Sequence, residues 1–131
     1  MKRARTAAEM IGAMSPTLQP GEFVFVTLGG DAAPEGAVAT YREAEGLSAI
    51  LPVEVALRGG LPIDQPMRCI TLMVLSALDG VGLTAAVAGA LAAAGIPCNM
   101  VAAYHHDHAY VPADAAEKAL GVLRALQASR P

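Results

Sequence analysis

Residues 70–101 read ITLMVLSALDGVGLTAAVAGALAAAGIPCNMV and carry signals for a strand, a helix and a second strand. The run RCITLMVLS, residues 68–76, is almost continuously apolar over the length of a strand, which predicts a strand covered on both faces. Leu83, Val87 and Leu91 then recur at helical spacing, and Gly95 stands where such a helix would end. The segment therefore predicts a β-α-β unit.

The residues that follow complete one half of the chain. IPCNMVAAYHH (96–106) predicts the second strand, HAYV (108–111) its hairpin partner, and PADAAEKALGVLRALQAS (112–129) a helix. The core stripe of that helix is Ala116, Leu120, Leu123 and Leu126. This βαββα order is a ferredoxin-like βαββαβ layout, of class α+β, without its last strand. The unpaired sheet edge must be covered, and the first half of the chain or a second subunit is the obvious supplier.

The first half predicts the same plan with one helix missing. GEFVFVTLGG (21–30) predicts a strand, AVATYREAEGLSAIL (37–51) two strands broken at Glu45-Gly46, and PVEVALRGG (52–60) a short helix.

The spacing of the two halves supports a repeat. Pro52 and Pro112, which each follow a strand and open a helix, differ by 112 − 52 = 60 positions, whereas the opening strands differ by 69 − 22 = 47. The difference of 60 − 47 = 13 residues equals the length of the predicted helix segment 83–95. We therefore predict two related halves, residues 1–62 and 63–131, of which the first is degenerate and lacks one helix.

Composition excludes several classes of function. The 131 residues are 54% hydrophobic and 16% charged, with a net charge of −3 and no basic run beyond KRAR at the start, which argues against nucleic-acid binding. No apolar stretch is long enough to span a membrane. We interpret the first 16 residues as an amphipathic helix rather than a signal peptide, and we expect a cytoplasmic protein in which Cys69 and Cys98 are reduced.

The loop LDGVGL, residues 78–83, joins the predicted central strand to a helix N-terminus. Gly80 and Gly82 allow the backbone to approach a ligand closely, and the amides of the first helical turn favour a carboxylate. Asp79 could accept a hydrogen bond from an ammonium group or cap the helix. A free amino acid carries both groups, so the loop is typical of an amino-acid site; a helix cap without a ligand is the alternative. No GxGxxG or GK[ST] motif points to a nucleotide, and no cofactor is expected.

Residues 70–101 resemble the ACT domain, a βαββαβ module that senses amino acids and is attached to aspartate kinases and other enzymes of amino-acid metabolism. The residues on its motif positions are Asp79, Gly82, Leu83, Leu91, Gly95 and Ile96. The whole chain is similar to small stand-alone bacterial proteins that pair a degenerate ACT half with a regular one, and YHHDHAYVP is similar to their recurring hairpin. Two departures are Gly80-Val81, where many members carry a proline before the glycine, and the absence of an attached catalytic domain.

The resemblance implies a non-enzymatic, allosteric protein that binds an amino acid and forms a homodimer, with a regulated enzyme or other protein as a further partner. In the family, effectors bind between the strand-helix loop of one ACT unit and the second strand of its neighbour. Carried over by position, the ligand-binding residues are Ser76, Leu78, Asp79, Gly80, Val81, Gly82, Leu83, Thr84, Asn99, Met100 and Val101.

The sequence HHDH, residues 105–108, supports a different hypothesis. In a strand, His106 and His108 would share a face and could supply two metal ligands, but a zinc site needs three or four, and the sequence names no further partner. A metal-binding protein or metal-dependent enzyme is therefore one alternative, with a polar hairpin tip as the simpler interpretation. A protein-protein interaction module without a ligand is the other alternative.

Overall fold

The computed structural model describes residue 4 and residues 6–30, 32–75 and 79–129. The helices are α1 (Ala7–Ala13), α2 (Val53–Arg58), α3 (Leu83–Ala93) and α4 (Ala116–Ala128), with a short 3-10 helix at Ala113–Ala115. The strands are β1 (Pro16–Leu18), β2 (Phe23–Leu28), β3 (Ala39–Glu43), β4 (Gly46–Pro52), β5 (Met67–Leu72), β6 (Asn99–Ala102) and β7 (Asp107–Pro112). The predicted α+β, ferredoxin-like class is confirmed.

The chain divides into two compact units. The small unit is Pro20–Met67, and the large unit joins Met1–Gln19 to Arg68–Pro131. The N-terminal residues thus belong with the C-terminal unit. The division between residues 62 and 63 follows from the sequence repeat and stays a prediction.

In the large unit, β5 pairs with β1 along one edge and neighbours β7, and β6 lies beyond β7. β1 runs antiparallel to β5, with Thr17 opposite Thr71. The sequence pattern does not predict β1, because three residues that begin with proline show no periodicity. β1 nevertheless occupies the place of the last strand that the βαββα pattern lacks, so the N-terminal part of the chain covers this edge.

Two predicted strands end early. β5 ends at Leu72 rather than near Ser76, and the amide of Met73 donates a hydrogen bond to the carbonyl oxygen of Met14. β6 ends at Ala102, and the Ala103 amide closes the hairpin by donating to the His106 carbonyl oxygen at 3.1 Å.

The core of the large unit lies between this sheet and α1, α3 and α4. Leu83, Val87 and Leu91 are buried, as the helical spacing predicts. Ala116, Leu120 and Leu123 of α4 are also buried, and Leu126 packs against the same cluster. α1 begins with a capping box formed by Thr6 and Glu9 and adds Met10 and Ile11 to the core, so the amphipathic helix that the sequence predicts in the first 16 residues is found at Ala7–Ala13.

The small unit repeats the plan, and its described residues contain no counterpart of the first helix. Its strand order is β3-β4-β2, and Val24, Ala49 and Leu51 of the sheet pack against Val55 and Ala56 of α2.

The two prolines that suggested the repeat have matching backbone conformations. Pro52 has φ −54° and ψ 142°, and Pro112 has φ −53° and ψ 139°, so each strand turns into its helix in the same way. Between β2 and β3, described residues 29–30 and 32–38 form no helix, in agreement with the predicted missing element.

Candidate functional site

The predicted ligand loop leads into the N-terminus of α3. Gly82 occupies the N-cap position with φ +111°, a conformation that residues with a side chain rarely adopt. A Cβ atom at this position would lie 2.7 Å from the Cβ atom of Ala7, so α1 packs directly against this bend. Both the backbone conformation and the available space therefore require glycine.

No side chain of the described residues caps the first amides of α3. The N-cap residue is Gly82 rather than Asp79, and glycine offers no acceptor atom. The intrahelical ladder begins where the Ala86 amide donates to the Gly82 carbonyl oxygen at 2.9 Å. The amides that precede Ala86 in the first turn are the groups that bind anions at a helix N-terminus, with support from the helix dipole.

The residues around these amides differ in exposure. Asp79, Val81 and Thr84 are exposed, and Val81 keeps 78% of its surface. Gly80 is half-buried, whereas the side chain of Leu83 is in the core and leaves only its backbone for a ligand. Ser76 and Leu78 lie outside the described residues.

The predicted strand residues alternate between the two faces of the sheet. Asn99 is exposed and Val101 is half-buried, whereas Cys98 and Met100 pack against the helix-covered core. This confirms that Asn99 faces away from Cys98 and Met100.

Hydrogen bonds fix the direction of β5 relative to its neighbours. His108 Nδ1 lies 2.9 Å from Thr71 Oγ1, and His106 Nδ1 lies 3.3 Å from the carbonyl oxygen of Val74. Residue numbers thus rise along β5 as they fall along β7, so these strands are antiparallel. Because β6 is also antiparallel to β7, β5 and β6 run in the same direction.

This register separates the two parts of the predicted site within one unit. Asn99 lies opposite Tyr110, whose side chain hydrogen bonds with Cys69. Val74, which leads towards the loop, lies 74 − 69 = 5 residues beyond Cys69 along the chain. This separation corresponds to roughly 16 Å at the usual rise of a strand. Residues 79–84 are therefore grouped at one end of the sheet, and Asn99 stands towards the other end.

A buried polar cluster, which the sequence pattern does not predict, lies between β5 and β7. Thr71 is 3% exposed, and its hydroxyl meets His108 Nδ1, while the Cys69 thiol lies 3.9 Å from the same nitrogen. Burial raises the pKa of the Cys69 thiol, although hydrogen bonds with Thr71 and Tyr110 oppose this. The sequence signal that could have indicated this cluster is the placement of Cys69 and Thr71 two residues apart, on one face of β5.

The HHDH residues do not form a convergent set of metal ligands. Asp107 is 6% exposed and begins β7, whereas His105 is exposed and stacks edge-on against Tyr104. Burial lowers the pKa of His108 and raises that of Asp107. Among the described residues, no three histidines, cysteines, aspartates or glutamates lie close enough together to hold a metal ion. The Nδ1 atoms of His106 and His108 already contact Val74 and Thr71.

None of the described helices is both long and apolar enough to cross a membrane.

Comparison with known proteins agrees with this architecture. Residues 5–68 match one family model of the ACT domain, and residues 65–125 match a second one. A protein of unknown function from Vibrio cholerae, described as a possible transport protein, is 40% identical, with 88% of this chain and 92% of that chain covered and a TM-score of 0.80. No curated protein matches the chain.

Two more distant structures show the fold alone. A protein from Agobacterium tumefaciens is 22% identical over 86% of this chain and 87% of its own, with a TM-score of 0.69. The aspartokinase alpha and beta subunits are 13% identical over 85% of this chain and 95% of that chain, with a TM-score of 0.59.

The fold is that of a small α+β module of the ferredoxin-like type. With the family matches, the chain belongs to the ACT domain family. ACT domains are in general regulatory, non-catalytic domains that bind ligands and often dimerise.

Proposed function

We propose that this protein binds a free amino acid at the N-terminus of α3 and acts as a non-catalytic regulatory protein. The observation that carries the proposal is the first turn of α3, where Gly82 caps the helix without a side-chain acceptor. The amides of this turn suit the carboxylate of an amino acid. The exposed carboxylate of Asp79, three residues earlier, suits its ammonium group.

The second part of the proposed site comes from another copy of the chain. Asn99 stands towards the far end of the sheet from residues 79–84 in its own unit, so it cannot contact the same small ligand there. Its amide group can both donate and accept hydrogen bonds, which suits either end of an amino acid. We therefore propose a homodimer in which Asn99, Met100 and Val101 of one copy approach the α3 N-terminus of the next.

In this function, ligand binding changes how the dimer contacts a regulated enzyme or another protein. An amino acid that bridges two copies stabilises one arrangement of the dimer over others, which is the differential affinity that allosteric control requires. We infer a cytoplasmic location, where the two free cysteines stay reduced and free amino acids report metabolic state.

Thermal denaturation with each of the twenty amino acids at millimolar concentration tests the proposal. A ligand present at 100 times its Kd should stabilise the folded protein by about 2.7 kcal/mol. Asp79→Asn should weaken binding about tenfold through loss of the charged partner, whereas Asp114→Asn, at an exposed site in the 3-10 helix, is the matched control.

Absence of a thermal shift with every amino acid, in a sample that light scattering shows to be dimeric, would overturn the proposal. Capture of a partner protein that is indifferent to all twenty amino acids would favour an interaction module instead.

A further inference from the structure

A groove in the small unit has no part in the site described above. Its volume is about 650 Å³, within the range of about 300–1,000 Å³ that is usual for small-molecule sites. It is lined by Glu35 and Gly36 of the loop that follows β2 and by Pro52, Glu54 and Arg58 at the end of β4 and in α2. Another cavity in the small unit, beside Phe25 and Asp64, is only about 210 Å³ and falls below that range.

The groove lies where the repeat lacks its first helix. In the large unit, α3 packs against α4. In the small unit, described residues 29–30 and 32–38 form no helix, and α2 packs against β4 and β2. The loop residues 34–36 stand in for the helix and leave a space beside α2.

The walls of the groove are held in place before any ligand binds. The Ala37 amide donates to the Pro34 carbonyl oxygen at 3.2 Å and closes a turn in which Gly36 has φ +98°. A Cβ atom at Gly36 would come within 3.1 Å of Val55 Cγ2, so the turn packs closely against α2. A preformed groove spares the ligand the cost of ordering the loop.

Three charged residues line this space. Glu54 and Arg58 are one helical turn apart, a spacing at which such pairs commonly form ion pairs. Among the described residues, however, neither they nor Glu35 has a hydrogen bond or an ion pair. Two carboxylates and one guanidinium give the groove a local charge of 1 − 2 = −1, which favours a ligand with a net charge of +1.

We propose that this groove binds a free amino acid with a cationic side chain, of which lysine is the simplest representative. The guanidinium group of Arg58 receives the α-carboxylate, a pairing that arginine makes with two parallel hydrogen bonds. Glu54, one turn away, receives the α-ammonium group, and Glu35 in the loop receives the side-chain cation. Val55 and Pro52 contact the methylene groups. This site is independent of the proposed function at α3.

Titration of the full chain with L-lysine, followed by amide NMR and calorimetry, tests the proposal. We expect lysine to shift the amide signals of residues 35–37 and 53–59. Norleucine, which lacks the side-chain ammonium group, and 1,5-diaminopentane, which lacks the carboxylate, should each bind about tenfold more weakly.

Variants separate the groove from the α3 site. Glu35→Gln and Arg58→Gln should each weaken lysine binding about tenfold, whereas Glu45→Gln, in the exposed β3–β4 turn, should leave it unchanged. Asp79→Asn should also leave it unchanged, because that carboxylate belongs to the large unit.

Three results would overturn this assignment. They are no lysine binding in the millimolar range, binding that survives both groove substitutions, and signal changes confined to residues 79–84. The last result would support an α3 site and exclude the groove, so the two proposals can fail separately.

Discussion

Replacing Gly82 by alanine will destabilise the folded protein for two independent reasons: strain in the backbone of residue 82 and a steric clash of the new Cβ atom. The backbone at φ +111° is a conformation that costs a residue with a side chain about 1–3 kcal/mol. The new Cβ atom would also stand 2.7 Å from Ala7 Cβ, and forcing α1 and α3 apart costs about 1–3 kcal/mol. Alanine also lowers the entropy of the unfolded chain, which offsets a small part of these costs. We therefore expect a net decrease of about 2–5 kcal/mol in the free energy of unfolding.

Urea and thermal denaturation of the full chain measure this loss. A change in the middle of that range corresponds to a decrease of roughly 10–15 °C in Tm for a protein of this size. Gly89→Ala is the matched control, because Gly89 lies inside α3 and a Cβ atom there would meet nothing within 4 Å. The control should stabilise the protein by about 0.5–1 kcal/mol, since alanine favours a helix over glycine.

A second substitution separates the two costs. Ala7→Gly in the Gly82→Ala protein removes the atom that the new Cβ would meet, so it should recover the steric part of the loss and leave the backbone part. If Gly82→Ala were as stable as Gly89→Ala, the close contact between α1 and the α3 N-terminus would be refuted. If Ala7→Gly recovered nothing, the steric term would be wrong and only the backbone conformation would count.

Leu91→Ala should lower the free energy of unfolding by about 2–5 kcal/mol, because Leu91 is fully buried in the core. The control Leu57→Ala, at an exposed position, should change it by less than about 0.5 kcal/mol. Equal urea midpoints of the two variants would contradict the burial of Leu91. Burial holds the pKa of His108 below its ordinary value of 6.5. On acidification this histidine is therefore protonated in the unfolded chain before it is protonated in the folded protein. The free energy of unfolding should fall as the pH decreases from about 6.5 towards the pKa of the folded state. His108→Gln should reduce this loss of stability when urea midpoints are compared at pH 7.5 and pH 5.5, and the exposed His105→Gln is the control. An unchanged pH dependence in His108→Gln would refute the burial of His108 as the cause of the loss. Thr6→Ala should cost about 1 kcal/mol in the same assay through loss of the capping box of α1, whereas the control Thr6→Ser keeps the hydroxyl acceptor and should cost little. Equal stabilities of the two variants would argue against that cap.

The elements with local signals could be predicted from the sequence. The spacing of Leu83, Val87 and Leu91 identifies the buried face of α3, because a helix repeats every 3.6 residues whatever its surroundings. Pro52 and Pro112 mark equivalent strand-to-helix turns, because proline fixes φ near the value that both turns use.

The features that the sequence does not predict depend on contacts between distant residues. β1 is a strand only because Pro16–Leu18 lies along β5. The polar cluster requires β5 and β7 to be neighbours, which brings Thr71 and His108 within 2.9 Å although they are 37 residues apart. The need for glycine at position 82 likewise depends on Ala7, which no local pattern connects to α3.

The candidate site shows the same limit. The glycines at positions 80 and 82 predict a loop that can approach a ligand, and the structure adds that Gly82 caps α3 without an acceptor. Which strand lies beside that loop depends on the register of β5, β6 and β7, and this register puts Asn99 towards the other end of the unit. At the level of sequence, only the family resemblance places residues 79–84 and Asn99 in one site. In that family, the strand that corresponds to Asn99 belongs to a neighbouring ACT unit.

Among the described residues, the first helix of the plan is found in one half and not in the other, and the two proposed sites use different chemistry. Where α3 is present, the proposed site consists mainly of main-chain amides, which side-chain substitutions cannot remove and which recognise the head group that all amino acids share. Where α3 has no counterpart among the described residues, the proposed groove is lined by Glu35, Glu54 and Arg58, whose charges would distinguish one amino acid from another. Selectivity should therefore follow the groove: replacement of its charged residues should change which amino acids bind there, whereas substitutions around α3 should change only how strongly they bind at α3.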